Sequence, residues 1–135
     1  TDYALYKAVK WHASVILSVP CCQHELNQRI QCETLSGAFQ YGLIRERTAA
    51  LMTDAMRGQL LEMKGYKTQL LEFIDMEHTP KNILIRAVKS KGLLPKAARK
   101  QQEDRYRACR DFFGAELTLE KLFNEMEGET AYEQD

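Results

Sequence analysis

Ser14-Val15-Ile16-Leu17-Ser18-Val19-Pro20 is the stretch of sequence that decides the fold. Its apolar, largely β-branched residues predict a strand over residues 15–19 that ends at Pro20 and is covered on both faces. Residues 2–10 carry apolar side chains at helical spacing, so a helix leads into this strand. A helix followed by a buried strand predicts half of a βαβ unit, and the first strand of that unit would precede residue 1.

Two later runs predict the rest of a small sheet. Residues 67–75 and 82–89 have the composition of strands, and the six residues that separate them are too few for a helical crossover. We therefore expect an antiparallel hairpin. Three strands cannot form a complete α/β sheet under four or five helices, so the strand over residues 15–19 should lack a neighbour. Each unpaired main-chain group in an apolar setting costs about 1–3 kcal/mol.

The remaining sequence predicts helices. The strongest is residues 44–64, which has a broad apolar stripe and Gly65 as its stop signal, and residues 35–41 form a Gly-containing connector. An acidic segment that starts at Gly128 is expected to fray. The other predicted helices are residues 22–32, 96–113 and 118–127.

Composition limits the class of protein. The chain has 135 residues, 44% of them hydrophobic and 28% charged, which fits one globular domain or part of one and excludes a disordered or disulfide-dense chain. Four cysteines without paired zinc-ribbon spacing favour a reducing compartment. No apolar run approaches the roughly 18–20 residues of a membrane span, and no signal pattern opens the chain. We therefore expect a cytoplasmic protein without a membrane partner.

Charge is unevenly distributed although Lys+Arg and Asp+Glu both number 19. Residues 81–110 hold ten basic and two acidic residues, and residues 111–135 hold one basic and eight acidic residues. The basic stretch over residues 89–110 predicts either a solvated helix face that the acidic segment neutralises or a face that follows an RNA backbone. His12 stands alone beside Trp11 and is expected to be structural.

Polar clusters lie at two places in the chain. Pro20-Cys21-Cys22-Gln23-His24 directly follows the first strand, where open α/β sheets place ligands. The alternatives are that the thiols only pack, that Cys32 joins them in a metal site, or that a cysteine acts as a nucleophile beside a histidine. The second cluster, in the turn between the two later strands, is Glu77-His78-Thr79-Pro80-Lys81-Asn82. A solvated hairpin turn without any function would also explain these residues. If strand 67–75 is parallel to strand 15–19, both clusters leave the sheet at the same edge.

The segments Val19-Pro20-Cys21-Cys22-Gln23-His24 and Glu77-His78-Thr79-Pro80-Lys81-Asn82 together resemble those of a bacterial branch of the class I S-adenosylmethionine-dependent methyltransferases. Thr1-Asp2-Tyr3-Ala4-Leu5 is similar to the stretch after that branch's fourth strand. Tyr41-Gly42-Leu43-Ile44-Arg45-Glu46-Arg47 is similar to the start of its long helix. The resemblance covers residues 1–89.

This resemblance implies a place for each strand. On the family's seven-stranded plan, residues 15–19 would be the fifth strand, 67–75 the sixth and 82–89 the antiparallel seventh. The family binds its cofactor through a Gly-rich turn after the first strand and an acidic residue that ends the second, and this sequence has neither. The resemblance therefore implies an incomplete Rossmann-like sheet. Its parts would be the C-terminal half of a methyltransferase domain over residues 1–94, a helical extension over 95–127 and an acidic tail over 128–135.

The resemblance also implies roles for the polar clusters. S-adenosylmethionine would be held mainly by the missing N-terminal half, so this chain alone would be inactive, and methyl transfer would be an in-line displacement at the sulfonium methyl. His24 or His78 would accept a proton from the methyl acceptor, which is RNA, protein or a small molecule. The acceptor pocket would be lined by the remaining cluster residues: Pro20, Cys21, Cys22, Gln23, Glu77, Thr79 and Asn82.

A noncatalytic module is the alternative function. In that hypothesis, the apolar strand edge and the basic helix would bind another protein or RNA. The partners expected under either hypothesis are the N-terminal half of the same domain, a second copy joined through the sheet edge, and RNA. No metal site is expected.

Overall fold

A computed structural model describes residues 1–21, 24–72 and 83–133, with only the backbone described at residues 24, 25, 132 and 133. Within these ranges the chain forms six α-helices and three strands, so the fold class is α/β. The helices are α1 (Asp2–Lys10), α2 (His24–Arg29), α3 (Ser36–Phe39), α4 (Gly42–Met63), α5 (Lys96–Phe113) and α6 (Thr118–Glu133). The strands are β1 (Val15–Ser18), β2 (Tyr66–Glu72) and β3 (Ile83–Lys89), and a short 3-10 helix spans Glu33–Leu35.

The last strand in sequence lies in the middle of the sheet. The spatial order is β1-β3-β2, and β3 is antiparallel to both of its neighbours. Ala87 on β3 is opposite Ile16 on one side and Thr68 on the other. It follows that β1 and β2 run in the same direction with β3 between them. The predicted antiparallel pairing of the two later strands is confirmed, while the turn that joins them lies outside the described residues.

The first strand differs from the prediction in length and in cover. It spans Val15–Ser18, and although Ile16 is buried, Val15 is 52% exposed and Leu17 is 64% exposed. The expectation that this strand is covered on both faces is therefore wrong for this chain. The reason is that the long helix packs against only one face of the sheet, the face that carries Ile16 and Thr68. Gly58 of that helix lies so close to this face that a Cβ added to it would be 3.5 Å from the side chain of Thr68. No described element covers the opposite face.

The predicted long helix is confirmed as α4, which begins at Gly42 and ends at Met63. Its buried apolar residues include Met56, Leu60 and Leu61. The chain then reverses through Gly65, whose φ of +89° places it in the left-handed region that glycine tolerates best. The stop signal read from the sequence therefore lies in the turn between the end of α4 and the start of β2.

Several predicted boundaries are wrong. The helix expected over residues 22–32 is only α2, and the connector expected over residues 35–41 contains α3 and the last residue of the 3-10 helix. The last helix was expected to end at residue 127, yet α6 continues past Gly128 to Glu133. Fraying of the described part of the acidic tail is therefore not observed.

The C-terminal helices share the core of the preceding elements. Phe113, Leu117 and Phe123 belong to the same buried cluster as Leu5 and Met56. Helix α5 packs against α4, and α6 packs against α1. Residues 95–127 are thus held by the same hydrophobic core as α1 and α4.

Candidate functional site

The two predicted polar clusters adjoin the same end of the sheet. Ser18, the last residue of β1, is opposite Ile85 of β3, and Ile85 is opposite Leu70 of β2. Strands in a sheet are about 4.8 Å apart, so β1 and β2 end roughly 10 Å from each other. The chain therefore leaves β1 and β2 at one sheet end, which is the end where the sequence predicts an acceptor pocket.

Only part of that predicted pocket is described. Pro20 is buried, Cys21 is exposed, and His24 is placed by its backbone as the first residue of α2. The side chain of His24 lies outside the described part of the chain. The other predicted site residues lie wholly outside it: Cys22, Gln23, Glu77, His78, Thr79 and Asn82.

The segment after the first cluster is held firmly in place. The guanidinium of Arg45, near the start of α4, donates from Nε to the carbonyl of Asn27 and from Nη2 to the carbonyl of Ile30. These carbonyls at the end of α2 lack helical partners, so a cation there satisfies them and complements the helix dipole. Leu26 and Ile30 are buried beneath. Pro20 and Cys21 therefore lie between a hydrogen-bonded strand and an anchored helix.

The edge of β1 carries unpaired backbone groups. The N–H of Lys89 donates to the carbonyl of Ser14, so Ser14 and then Ile16 direct their backbone groups towards β3. In an antiparallel pair these directions alternate, so the N–H and C=O of Val15 and Leu17 point away from β3. Because β1 is the edge strand of the described sheet, nothing described pairs with these groups.

The uncovered face of the sheet adjoins this edge and is largely apolar. Val15 lies beside Val88 and Lys67, Leu17 lies beside Arg86 and Gln69, and Leu71 lies beside Leu84. Val15, Leu17 and Leu71 are each more than 40% exposed. We call this surface the open face. Exposed apolar side chains next to a strand edge without a described partner are typical of a docking surface or of an aggregation hazard.

Part of the positive charge of the basic helix α5 is neutralised by a carboxylate of the acidic segment, as the solvated-face interpretation predicts. The phenol of Tyr106, which is 1% exposed, donates to Oε2 of Glu120 at 2.6 Å, and Arg110 donates to Oε1 of the same carboxylate. Burial, followed by the hydrogen bond to Glu120, raises the pKa of Tyr106 far above its usual value. Arg107 pairs with Glu103 on its own helix. The cluster joins α5 to α6.

Two cavities of about 360 Å³ each lie away from the predicted pocket. One lies between α4, α5 and α6 and is lined by the charged side chains Lys64, Arg110 and Glu120. Those three groups are already engaged in ion pairs within the chain. The other cavity is bounded by α1, α6, the start of β2 and the end of β3. His12 and Lys89 are among the residues that line it.

A buried charge cluster was missed by the sequence analysis. Arg57 on α4 donates to Asp2 at 2.7 Å and to Asp54 at 3.1 Å, and all three side chains are at most 7% exposed. The signal was present, because Asp54 and Arg57 lie among the buried positions of α4. Charged residues in the apolar stripe of a helix indicate a paired interior cluster.

Neither a metal site nor a membrane span is found in the described ranges. No three His, Cys, Asp or Glu side chains in those ranges are grouped as metal ligands. None of the described helices combines the length and apolarity that a bilayer crossing requires. Comparisons of this chain with protein-family models, with curated proteins and with solved structures find no match.

Proposed function

We propose that this chain is the C-terminal half of an S-adenosylmethionine-dependent methyltransferase and forms the substrate-side wall of its active site. The observation that carries the proposal is the unpaired edge of β1 beside the open face. The backbone groups of Val15 and Leu17 have no partner among the described residues, and an edge of this kind can pair with a further strand. The proposed neighbour is a strand from the N-terminal half of the same domain.

The strand order supports this assignment. In the seven-stranded plan of class I methyltransferases, the antiparallel seventh strand lies between the fifth and the sixth. Here β3, the last strand in sequence, lies between β1 and β2 and is antiparallel to both. The order β1-β3-β2 therefore corresponds to strands five, seven and six.

The placement of the helices supports it further. A Rossmann-like sheet has helices on both faces, whereas α4 covers only the Ile16 face here and α1 is tied to α4 by the Asp2–Arg57 ion pair. In the proposal, helices of the N-terminal half cover Val15, Leu17 and Leu71. This explains why large apolar side chains occupy an exposed surface.

In this proposal S-adenosylmethionine is held mainly by the N-terminal half. Neither cavity that the described residues line lies at the end of β1 and β2, and the sequence has no Gly-rich turn after a strand. We therefore assign cofactor binding to the N-terminal half. To this chain we assign the acceptor pocket, with Pro20, Cys21 and Thr79 among its walls and His24 or His78 as the proton acceptor.

The alternative is a noncatalytic module that binds protein or RNA. The open face favours a protein partner, including a second copy of this chain paired edge to edge at β1. RNA would follow the exposed basic residues of α5, such as Lys96, Lys100 and Arg105. Retention on immobilised RNA that does not change with salt concentration would exclude that RNA surface.

Calorimetry with S-adenosylmethionine tests the proposal. The chain of residues 1–135 should show no binding, and the longer protein encoded with it should bind with micromolar affinity. The reading frame upstream of Thr1 should encode a Gly-rich βα turn that opens a Rossmann-like half. Micromolar binding by residues 1–135 alone would contradict the proposal, as would an open frame that begins at Thr1.

The acceptor class is then found by activity. The longer protein, given S-adenosylmethionine labelled at its methyl group, is incubated separately with total RNA, protein and small-metabolite fractions. His78→Ala and Cys21→Ala should lower turnover more than they lower the melting temperature. Equal losses in both measurements would assign these residues to packing.

A further inference from the structure

His12 holds a backbone conformation that usually belongs to glycine. Its φ is +55°, and it follows the last turn of α1 as the residue after the C-cap Trp11. The N–H of His12 donates to the carbonyl of Val9, and the N–H of Ala13 donates to that of Ala8. This pair of bonds is the Schellman arrangement, in which the left-handed residue is most often glycine.

The chain uses glycine at the other comparable positions. Of the residues that the structure describes with a positive φ, Gly65, Gly92 and Gly114 are glycines and His12 alone has a side chain. A left-handed conformation with a Cβ is strained, and such strain is kept where the side chain has a use. The conformation therefore points to a role for the imidazole.

That imidazole lines the second 360 Å³ cavity, at the opposite end of the sheet from Ser18 and Glu72. Among the described residues, the lining includes Lys10, Lys64 and Lys89 together with one carboxylate, Glu129. Val9 and Met126 contribute apolar wall. A cavity of about 360 Å³ falls within the size range of small-molecule sites, and most of its lining residues are polar or charged.

The positive charge in this cavity is incompletely balanced. Lys64 pairs with Glu127, and Lys10 lies 3.6 Å from Glu129. Lys89 has no carboxylate within ion-pair distance among the described residues, and its Nζ lies 3.4 Å from Nδ1 of His12. The ring nitrogen has to act as an acceptor towards that ammonium. In the tautomer that carries its proton on Nδ1, the ring and the ammonium are both donors, and an oxyanion beside them would accept from both.

We propose that this cavity binds a small phosphate monoester, whose phosphate lies beside His12 and Lys89 and whose organic part packs against Val9 and Met126. Lys10 and Lys64 add positive potential around the phosphate. The site is separate from the predicted acceptor pocket, because it adjoins the start of β2 and the end of β3. The inference does not depend on the methyltransferase proposal.

The test is a ¹H–¹³C NMR titration of the histidine rings of the 135-residue chain with phenyl phosphate, inorganic phosphate and benzoate. The ring signals of His12 should shift and saturate with phenyl phosphate, and inorganic phosphate should bind more weakly. Lys89→Gln should weaken phenyl phosphate binding at least about tenfold, the loss of one charge-assisted hydrogen bond. Lys67→Gln, an exposed lysine on the open face, is the matched control and should bind as the unchanged chain does.

His12→Gly separates binding from folding. Glycine relieves the left-handed strain, so this variant should melt at the same or a higher temperature and yet lose phenyl phosphate binding. The proposal is overturned if the His12 signals do not respond to millimolar phenyl phosphate. It is also overturned if Lys89→Gln and Lys67→Gln weaken binding equally, or if His12→Gly binds normally. A stronger response to benzoate than to phenyl phosphate would replace the phosphate ligand by a carboxylate.

Discussion

Arg57 donates from Nε to Oδ1 of Asp2 across 2.7 Å, and both side chains are buried. The second oxygen of Asp2 accepts from the backbone N–H of Leu119 at 3.1 Å, in the first turn of α6. One carboxylate therefore links α1 to α4 by an ion pair and satisfies a donor at the N-terminus of α6. The first and last helices of the chain are held together through this residue.

Removal of Arg57 should destabilise the fold strongly. Arg57→Met leaves the carboxylates of Asp2 and Asp54 buried without their cation, which should lower the free energy of unfolding by about 3–5 kcal/mol. Urea denaturation followed by circular dichroism measures the change. Arg107→Met, which breaks the exposed ion pair with Glu103, is the control and should cost less than about 1 kcal/mol. Equal losses in the two variants would show that the Asp2–Arg57 pair is not buried in solution.

Tyr106 should make stability depend on alkaline pH. Its pKa is raised in the folded state, first by burial and then by Glu120, so the folded chain keeps the phenol proton while an unfolded tyrosine loses it near pH 10. The stabilisation of the folded state that comes from this raised pKa is complete below about pH 10. Above that pH, the free energy of unfolding falls by about 1.4 kcal/mol per pH unit.

Urea denaturation between neutral and alkaline pH tests this expectation. Tyr106→Phe should lose stability at neutral pH through the missing hydrogen bond, and its stability should fall less steeply above pH 10 than that of the unchanged chain. Tyr41→Phe, at a 63% exposed position, should reproduce the profile of the unchanged chain. Parallel profiles for Tyr106→Phe and the unchanged chain would contradict the assigned environment of Tyr106.

Two glycines should respond to alanine in opposite directions. Gly128 lies inside α6 with open space around it, so Gly128→Ala should stabilise the fold by about 0.5–1 kcal/mol. Gly114 has a φ of +64°, and a Cβ there would lie 3.2 Å from the carbonyl oxygen of Gln31, so Gly114→Ala should destabilise by about 1 kcal/mol or more. Thermal melts measure both. No effect of Gly128→Ala would mean that α6 frays before Gly128.

Neighbouring residues of β1 should differ in their tolerance of charge. Leu17 is on the open face, so Leu17→Lys should leave the stability of the 135-residue chain nearly unchanged but prevent its association with the proposed N-terminal half. Ile16 is 6% exposed, so Ile16→Lys should cost more than about 3 kcal/mol. Thermal melts and size-exclusion chromatography separate the two effects. A Leu17→Lys variant that still associates would exclude the open face as the interface.

The sequence predicted those elements whose signals are local. Residues 15–18, the long helix and its Gly65 stop, and the antiparallel pairing of the last two strands follow from β-branched composition, helical periodicity and loop length. The position of β3 between β1 and β2 could not be read in this way. It depends on pairings between residues as distant as Ile16 and Ala87.

The wrong predictions also depend on contacts between residues that are distant in the sequence. The helix expected over residues 22–32 ends early, and Arg45 donates hydrogen bonds to its last carbonyls. Arg45 is 18 residues away from Asn27 in the sequence, so no local pattern predicts this contact. The exposed face of β1 reflects the lack of any described helix on that side of the sheet. The sequence did not indicate that Val15 and Leu17 would be exposed, because exposure depends on which elements cover the sheet. Of the candidate site, it located the sheet end at which both polar clusters begin, while the strained conformation of His12 had no local sequence signal.

Amide hydrogen exchange at Val15 and Leu17 tests the central claim most directly. The account predicts that both amides exchange rapidly in the 135-residue chain, because their N–H groups point away from β3. The amide of Ile16, which faces β3, should be protected in the same sample. If the proposed N-terminal half precedes this chain, Val15 and Leu17 should also become protected in the longer protein that contains both. If those two amides still exchange rapidly there, no strand pairs with the β1 edge, and the proposal that this chain completes a methyltransferase domain is contradicted.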